Sequence, residues 1–381
     1  MKVISIATAI TFALSCKLGA SLNVIINNDD GWATANIREF YKALRADGHN
    51  AFIVAPIEQQ SGQGGRTVFT GEATLSRPGQ FGTVPAGAPS FGSDPMDSHI
   101  WYYNGTPSAV TFFALDYLVK TKSIFNGSDP DLILTGPNEG SNAGPFVFTL
   151  SGTLGAAYAA VSRGIPAIAF SATNIIDRDY RSVNTTDDPA TITGKLAAKV
   201  VNQLAQNGVG KNNRLLPYGY GLNVNFPYIA TQPSALSEQV CTAPPFVHAR
   251  LTGGASTDYA VFNNVTGLFT WASNNTSPGV NTCINGDCGL PGETDVIKEC
   301  KSAISVWTID YDAPDCGGAV QVRALLGNLV DNSGSNSTGS NATVTPTAPT
   351  TPTETGAGVR FGINTSLIGL VAALAVGMGN V

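Results

Sequence analysis

Two carboxylates stand side by side in the run Asn27-Asn28-Asp29-Asp30-Gly31. Adjacent acids ahead of a glycine that permits a sharp turn can present their oxygens to one hard cation. Taken alone, the run also matches an ordinary Asp-Gly turn with solvated charges. A second stretch, Ala55-Pro56-Ile57-Glu58-Gln59-Gln60-Ser61-Gly62, ends in a hydroxyl set among Gly62, Gly64 and Gly65. The Ser61 hydroxyl is a neutral oxygen ligand or a donor to an anion. A third, Thr135-Gly136-Pro137-Asn138-Glu139-Gly140-Ser141-Asn142-Ala143-Gly144, places Asn138 and Asn142 in a Gly-rich turn. Their amides supply oxygens and donors without charge, and the glycines leave backbone N–H groups open to an anion. No Gly-Lys-Ser or Gly-Lys-Thr follows, so this is not a P-loop. The fourth, Ser151-Gly152-Thr153, opens an Ala-rich run. A helix starting there aims free N–H groups and the positive dipole end at an anion, and Ser151 equally suits a plain N-cap.

The combined set is two carboxylates, a hydroxyl, amides and a helix start. It suits a divalent cation with oxygen ligands, magnesium or manganese, beside a bound phosphoryl group, with water activated by the metal. Histidines number three, His49, His99 and His248, with no repeated ligand spacing. That argues against a His-rich zinc site and leaves them surface or structural roles.

The elements that must position these loops alternate. An apolar β-branched run at 22–27 precedes a helical pattern at 36–46, with Ile37, Phe40, Tyr41 and Leu44 on one face and Gly48 as the stop. Strand patterns recur at 50–54, 132–134 and 165–170, and helical ones at 108–119, 151–163 and 192–204. This alternation predicts an α/β fold, a doubly wound, mostly parallel, Rossmann-like sheet covered on both faces. Ligands in such sheets sit beyond the carboxyl ends of the strands, where all four loops fall.

Charged residues make up only 13% of the 381, and the net charge is −6. A general binder of nucleic-acid polymers would show a basic patch or a high pI, so that class is set aside. Residues 1–20 read as a signal peptide, with Lys2 ahead of an apolar stretch and small residues at 19 and 20. Five cysteines remain beyond it, Cys241, Cys283, Cys288, Cys300 and Cys316. An oxidising compartment pairs four and leaves one over. Glycosylation sequons at Asn126, Asn184, Asn264, Asn274, Asn275, Asn336, Asn341 and Asn364 agree with export. Residues 328–358 are rich in Ser, Thr, Asn, Pro and Gly and read as a disordered, O-glycosylated stalk. Residues 359–381 end in an apolar run too short to span a bilayer, preceded by small residues. That is the layout of a GPI-attachment signal, which would place the chain at the cell surface, anchored to a membrane.

The pieces resemble the SurE (survival protein E) family of metal-dependent phosphatases and nucleotidases. They are Asn28-Asp29-Asp30-Gly31, Ala55-Pro56 with Ser61-Gly62, Gly105-Thr106-Pro107, Gly136-Pro137-Asn138 with Gly140 and Asn142, and Ser151-Gly152-Thr153 with Gly155-Ala156-Ala157. Gly164-Ile165-Pro166-Ala167-Ile168-Ala169 and Leu222-Asn223-Val224-Asn225-Phe226-Pro227 follow in the family's order, with a weaker echo from Glu293-Thr294-Asp295 to Ser305-Val306. The resemblance implies a phosphatase domain over 21–327, with an insertion at 241–292. It implies that Asp29, Asp30, Ser61 and Asn138 bind the metal, that Asp29 and Asp30 are the catalytic centre, and that Asn142, Ser151, Gly152 and Thr153 line the phosphate site. The substrate would be a phosphate monoester or nucleoside monophosphate, and a homo-oligomer is admitted. Secreted relatives of this kind are similar to fungal acid phosphatases. Two departures stand out: Pro137 replaces an aliphatic residue, and 145–150 lacks an acid before the Ser-Gly-Thr turn. The alternative is a GPI-anchored surface protein whose SurE-like domain has decayed and acts in binding or wall structure. The intact Asp29, Asp30, Ser61 and Asn138 set weighs against decay. An aspartyl-phosphate phosphatase wants its two acids one residue apart, and a serine hydrolase wants a Gly-x-Ser-x-Gly elbow; neither is present.

Overall fold

The computed structural model describes residues 21–330 apart from 176, 208–213, 236 and 275–276. The predicted leader, nearly all of the stalk and the apolar tail lie outside the described residues. The chain divides into a unit ending at Val320 and a second beginning at Gln321.

The first unit is built on one sheet. Strands β1 (Asn23–Asn27), β2 (Asn50–Pro56), β3 (Phe91–Asp94), β4 (Asp97–Tyr103), β5 (Leu132–Glu139), β6 (Ala167–Ala172), β7 (Tyr220–Phe226), β8 (Phe246–Ala249) and β11 (Ser302–Thr308) lie in the order β3-β4-β2-β1-β5-β6-β7-β11-β8. From β1 the chain winds outward through β2 to β4, then returns to β5 beside β1 and winds the other way through β6 to β7. These pairings are parallel, while β3 on β4 and β11 on β7 are antiparallel. The strand order therefore reverses between β1 and β5, the crevice where doubly wound sheets place ligands.

Alternation along the central strands feeds two apolar layers. Val24, Ile26, Leu132, Leu134, Ile168 and Phe170 face one layer with helices α1 (Ala35–Ala46) and α5 (Pro189–Asn207). Ile25, Ile133, Ala167 and Ala169 face the other, with α2 (Pro107–Phe113) and α4 (Gly152–Ser162). On α4 the contact residues are Ala157, Ala160, Leu154 and Val161, and the small alanines let the helix lie close to the sheet. The short helix α3 (Pro145–Leu150) leads into α4.

The predicted strand at 132–134 is only half of β5. Gly136, with φ +97°, and the cis Pro137 interrupt the register after Thr135, and pairing with β6 resumes at Asn138 opposite Ser171 and Glu139 opposite Ala172. Hydropathy marks the apolar half and misses the polar half that continues past it. β3 and β4 were also absent from the sequence reading. Part of the region read as an insertion joins the main sheet, as β8 pairs parallel with β11. The rest includes a separate ribbon of β9 (Thr257–Asn263) and β10 (Leu268–Asn274), followed by α6 (Pro278–Asn281) and α7 (Glu293–Val296). Four of the five cysteines pair, Cys241 with Cys300 and Cys283 with Cys288, and Cys316 is free. The described part of the second unit is the end of α8 (Gly318–Leu326) and a 3-10 turn at Gly327–Leu329.

Phe170 is fully buried, edge-on to Phe40 at 5.2 Å and stacked on Phe226 at 6.2 Å. Replacing a core phenylalanine by alanine loses its transfer free energy and leaves a cavity. Phe170→Ala is expected to lower unfolding free energy by about 3–5 kcal/mol in denaturant titrations. A loss below about 1 kcal/mol would contradict this core.

Candidate active site at the β1–β5 crevice

Immediately after β1 the chain turns inward, and its own amides fix the turn. Asn28 Oδ1 accepts the Gly31 N–H at 3.1 Å, and Asn28 Nδ2 donates to the Gly31 carbonyl at 3.0 Å. Asn27 Nδ2 donates to the Pro107 carbonyl at 2.9 Å, tying the strand end to α2. The Trp32 N–H reaches the Pro56 carbonyl at 2.9 Å, fastening the loop to the end of β2. Asp29 and Asp30 are thereby held almost wholly out of solvent, at 2% and 0% exposure.

Three of the sequence candidates meet at Asp29. The Thr153 hydroxyl donates to Asp29 Oδ1 and lies 3.2 Å from Asn138 Oδ1. Asn138 Nδ2 is committed to the Gly140 carbonyl at 2.7 Å, which leaves its carbonyl oxygen facing Thr153. A hydroxyl carries one proton, so three oxygens crowd around a single hydrogen. Gly152 admits this approach, because a Cβ there would sit 2.8 Å from Asp29 Cβ and 2.9 Å from Asp29 Oδ2. Ser151 caps α4, its Oγ accepting the Leu154 N–H at 3.3 Å.

Asp30 is held by residues the sequence reading did not single out. Its Oδ2 accepts the Glu139 N–H at 2.9 Å, and its Oδ1 accepts from Gln59 Nε2 at 3.3 Å. Gln59 Oε1 in turn accepts the Ser61 N–H at 2.9 Å, so the predicted Ser61 joins the acid pair through Gln59. Ser61 itself is exposed. Gln80 Nε2 donates to the Asp30 carbonyl at 2.7 Å and lies 3.4 Å from Asp177 Oδ1. Glu139 follows Asn138 directly, and its carboxylate oxygens are buried, with the charge and the backbone N–H of Arg178 favouring the ionised form. Asn142 is buried, but its polar groups turn into the fold: its N–H to Asn225 Oδ1 at 2.8 Å and its Nδ2 to Ser171 Oγ at 2.8 Å.

Burial dominates the electrostatics. It raises the Asp29 pKa, against the hydrogen bond from Thr153. Burial and then the Asp29 charge push Asp30 well above the usual carboxylate range. Burial, followed by the charges of Asp30 and Asp177, pushes Glu139 up to about 10, and burial raises Asp177. Among the described residues no Lys or Arg forms an ion pair with any of these four acids. Buried carboxylates ordinarily require a charge partner. No group of three or more His, Cys, Asp or Glu among the described residues is arranged as a metal cluster. The oxygens at hand are instead two carboxylates, an amide carbonyl and hydroxyls, a surplus of acceptors over donors. That donor chemistry fits a hard divalent cation.

The fold and the crevice together define a Rossmann-like protein with a buried acid pair at its switch point. Residues 24–244 match the family model described as Survival protein SurE, and the chain belongs to that family. It is 45% identical over 309 residues to an acid phosphatase of Yarrowia lipolytica, covering 80% of this chain and 83% of the relative. It is 30% identical over 209 residues to the 5′-nucleotidase SurE of Methanocella arvoryzae, covering 55% and 68% respectively. The crystal structure of the SurE protein from Aquifex aeolicus matches with a TM-score of 0.51 at 19% identity, over 80% of this chain and 98% of that one, a likeness of fold.

The acid cluster gives stability a pH dependence. A carboxyl whose pKa is raised by folding binds more protons in the native state, so its contribution is full below the unfolded value and is lost as pH rises towards the folded one. In chelator, denaturant titrations are expected to show a less stable protein at pH 8 than at pH 5. Glu139→Gln, which cannot ionise, should flatten that slope. An unchanged slope would show that Glu139 is not held protonated.

Proposed function

We propose that the chain hydrolyses phosphate monoesters, nucleoside monophosphates among them, with a divalent cation held by Asp29, Asp30, Asn138 and Ser61. The observation that carries this reading is the buried Asp29–Asp30 pair, which no Lys or Arg among the described residues pairs with and which Thr153 ties to the start of α4. The acid phosphatase and 5′-nucleotidase relatives support the reaction class.

A divalent cation there supplies Lewis-acid stabilisation of phosphoryl charge and activation of water. The chain's own residues do the rest. Thr153 fixes the Asp29 carboxylate and takes its orientation from the first turn of α4. The N-terminus of α4 favours the dianionic phosphoryl group, since its N–H groups and dipole offer partial positive charge. The Glu139 N–H and Gln59 hold the Asp30 carboxylate in one orientation. Ser61 lies exposed beside the crevice, its N–H donating to Gln59 Oε1, so the side chain that holds Asp30 also links to the Ser61 loop.

The segments outside the described residues bear on where the reaction takes place. We read the chain as exported, and the exposed sequons at Asn126, Asn184 and Asn264 and the two disulfides support that reading. No helix of the described residues is long and apolar enough to cross a membrane. Membrane attachment therefore rests on the GPI signal read at 359–381.

Phosphate release from several monoesters, measured with and without chelator from acidic to neutral pH, tests the proposal. Asp30→Asn preserves shape and removes charge, and is expected to cut metal-dependent turnover on the order of 100-fold or more. Wild-type turnover in that variant, with an unchanged melting temperature, would overturn the assignment.

A further inference from the structure

The loop that leaves Asn138 and returns the chain to α3 and α4 is held almost entirely by side chains from elsewhere. The Gly140 N–H donates to the Ala172 carbonyl at 2.8 Å. The Asn142 carbonyl accepts from Asn223 Nδ2 at 2.9 Å and from Asn225 Nδ2 at 3.1 Å, both on β7. The far end is held by Glu293, at the start of α7, whose Oε1 accepts the Gly144 N–H at 2.8 Å. Asn223 Nδ2 lies 3.2 Å from Glu293 Oε1 and 3.1 Å from Oε2, so one amide links this carboxylate to Asn142. Glu293 is fully buried and is the ionisable side chain among these anchors. Gly144 has φ +89°, and a Cβ there would sit 2.7 Å from Ala255 Cβ, so the loop is seated tightly against this region.

We propose that Glu293 is a positioning residue for the phosphate site: its carboxylate, fixed by Asn223, clamps the Gly144 amide and so sets the loop between Asn138 and the Ser151-Gly152-Thr153 helix start. This rests on the reading of the crevice as a phosphatase site. A buried carboxylate is costly unless hydrogen-bonded, and burial pushes this one up to about 8 against the bonds from Gly144 and Asn223. It reaches Gly144 from 149 residues further along the chain.

Two substitutions separate reach from acidity. Glu293→Gln keeps an oxygen at the distance of the Gly144 N–H, while Glu293→Asp keeps the carboxyl group but withdraws by one methylene. Hydrogen–deuterium exchange of the peptide spanning 138–150 reads the loop directly in the full chain, without reference to catalysis. Exchange there is expected to be faster in Glu293→Asp and close to wild type in Glu293→Gln. Steady-state kinetics and inorganic phosphate inhibition should follow: the Asp variant raises KM and the phosphate inhibition constant by about tenfold or more, with kcat within about threefold, and Gln stays near wild type. Unchanged exchange in the Asp variant, or a mobilised loop with unchanged KM, would overturn the proposal. Equal loss in both variants, accompanied by lowered melting temperatures, would do so too. A wild-type protein that releases no phosphate would instead overturn the functional reading, leaving the exchange result to decide the clamp.

Discussion

Two adjacent carboxylates, taken out of water with no Lys or Arg among the described residues in an ion pair with them, are the constraint around which the crevice is organised. Removing such groups from solvent is costly unless they are neutralised or richly hydrogen-bonded. The fold answers with donors from three directions. Thr153 comes from the first turn of α4, the Glu139 amide from the end of β5 and Gln59 from the loop after β2, while Gln80 holds the Asp30 backbone carbonyl. These donors leave the acids short of positive charge, which is the ground for the divalent cation proposed there. A cation held by these acids would couple its binding to proton release.

The topology explains why residues so far apart in the chain converge. Reversal of strand order between β1 and β5 opens a crevice at their carboxyl ends, and both strands run on into polar residues there. The alanine face of α4 and the absence of a side chain at Gly152 let the helix start approach Asp29 to contact distance. A larger residue at 152 would overlap the carboxylate or push α4 away. Packing on the sheet and the chemistry at its edge are thus set by the same small residues.

Much of the fold was legible in the sequence because local signals coincided with the loops at the crevice. The runs around Asp29, Ser61 and Asn138 each follow a strand pattern, Ser151 opens an Ala-rich helix, and all combine glycine with oxygen-bearing side chains. The doubly wound class followed from the alternation of periods. The count of paired cysteines followed from their number, although the pairing itself depended on the fold. What escaped has a common cause. Gln80 lies 50 residues from Asp30, Glu139 lies 109 from it, and Glu293 lies 149 from Gly144. No spacing rule links such partners before the chain folds. Glu139 stood inside a motif already quoted, yet its burial beside Asp30 comes from β5 extending past the apolar run that marked it. Asn142, expected on the phosphate side, spends its N–H and Nδ2 on Asn225 and Ser171, because polar residues of β6 and β7 lie beneath it.

The Asp29–Asp30 pair is proposed as a cation site beside a phosphoryl site. Crystals grown with manganese and inorganic phosphate, measured at a wavelength where manganese scatters anomalously, show whether it is. One strong anomalous peak is expected about 2.0–2.6 Å from oxygens of Asp29, Asp30 and Asn138, with phosphate density towards the start of α4. A fully occupied manganese bound elsewhere, with the two acids unliganded, would contradict the proposed site.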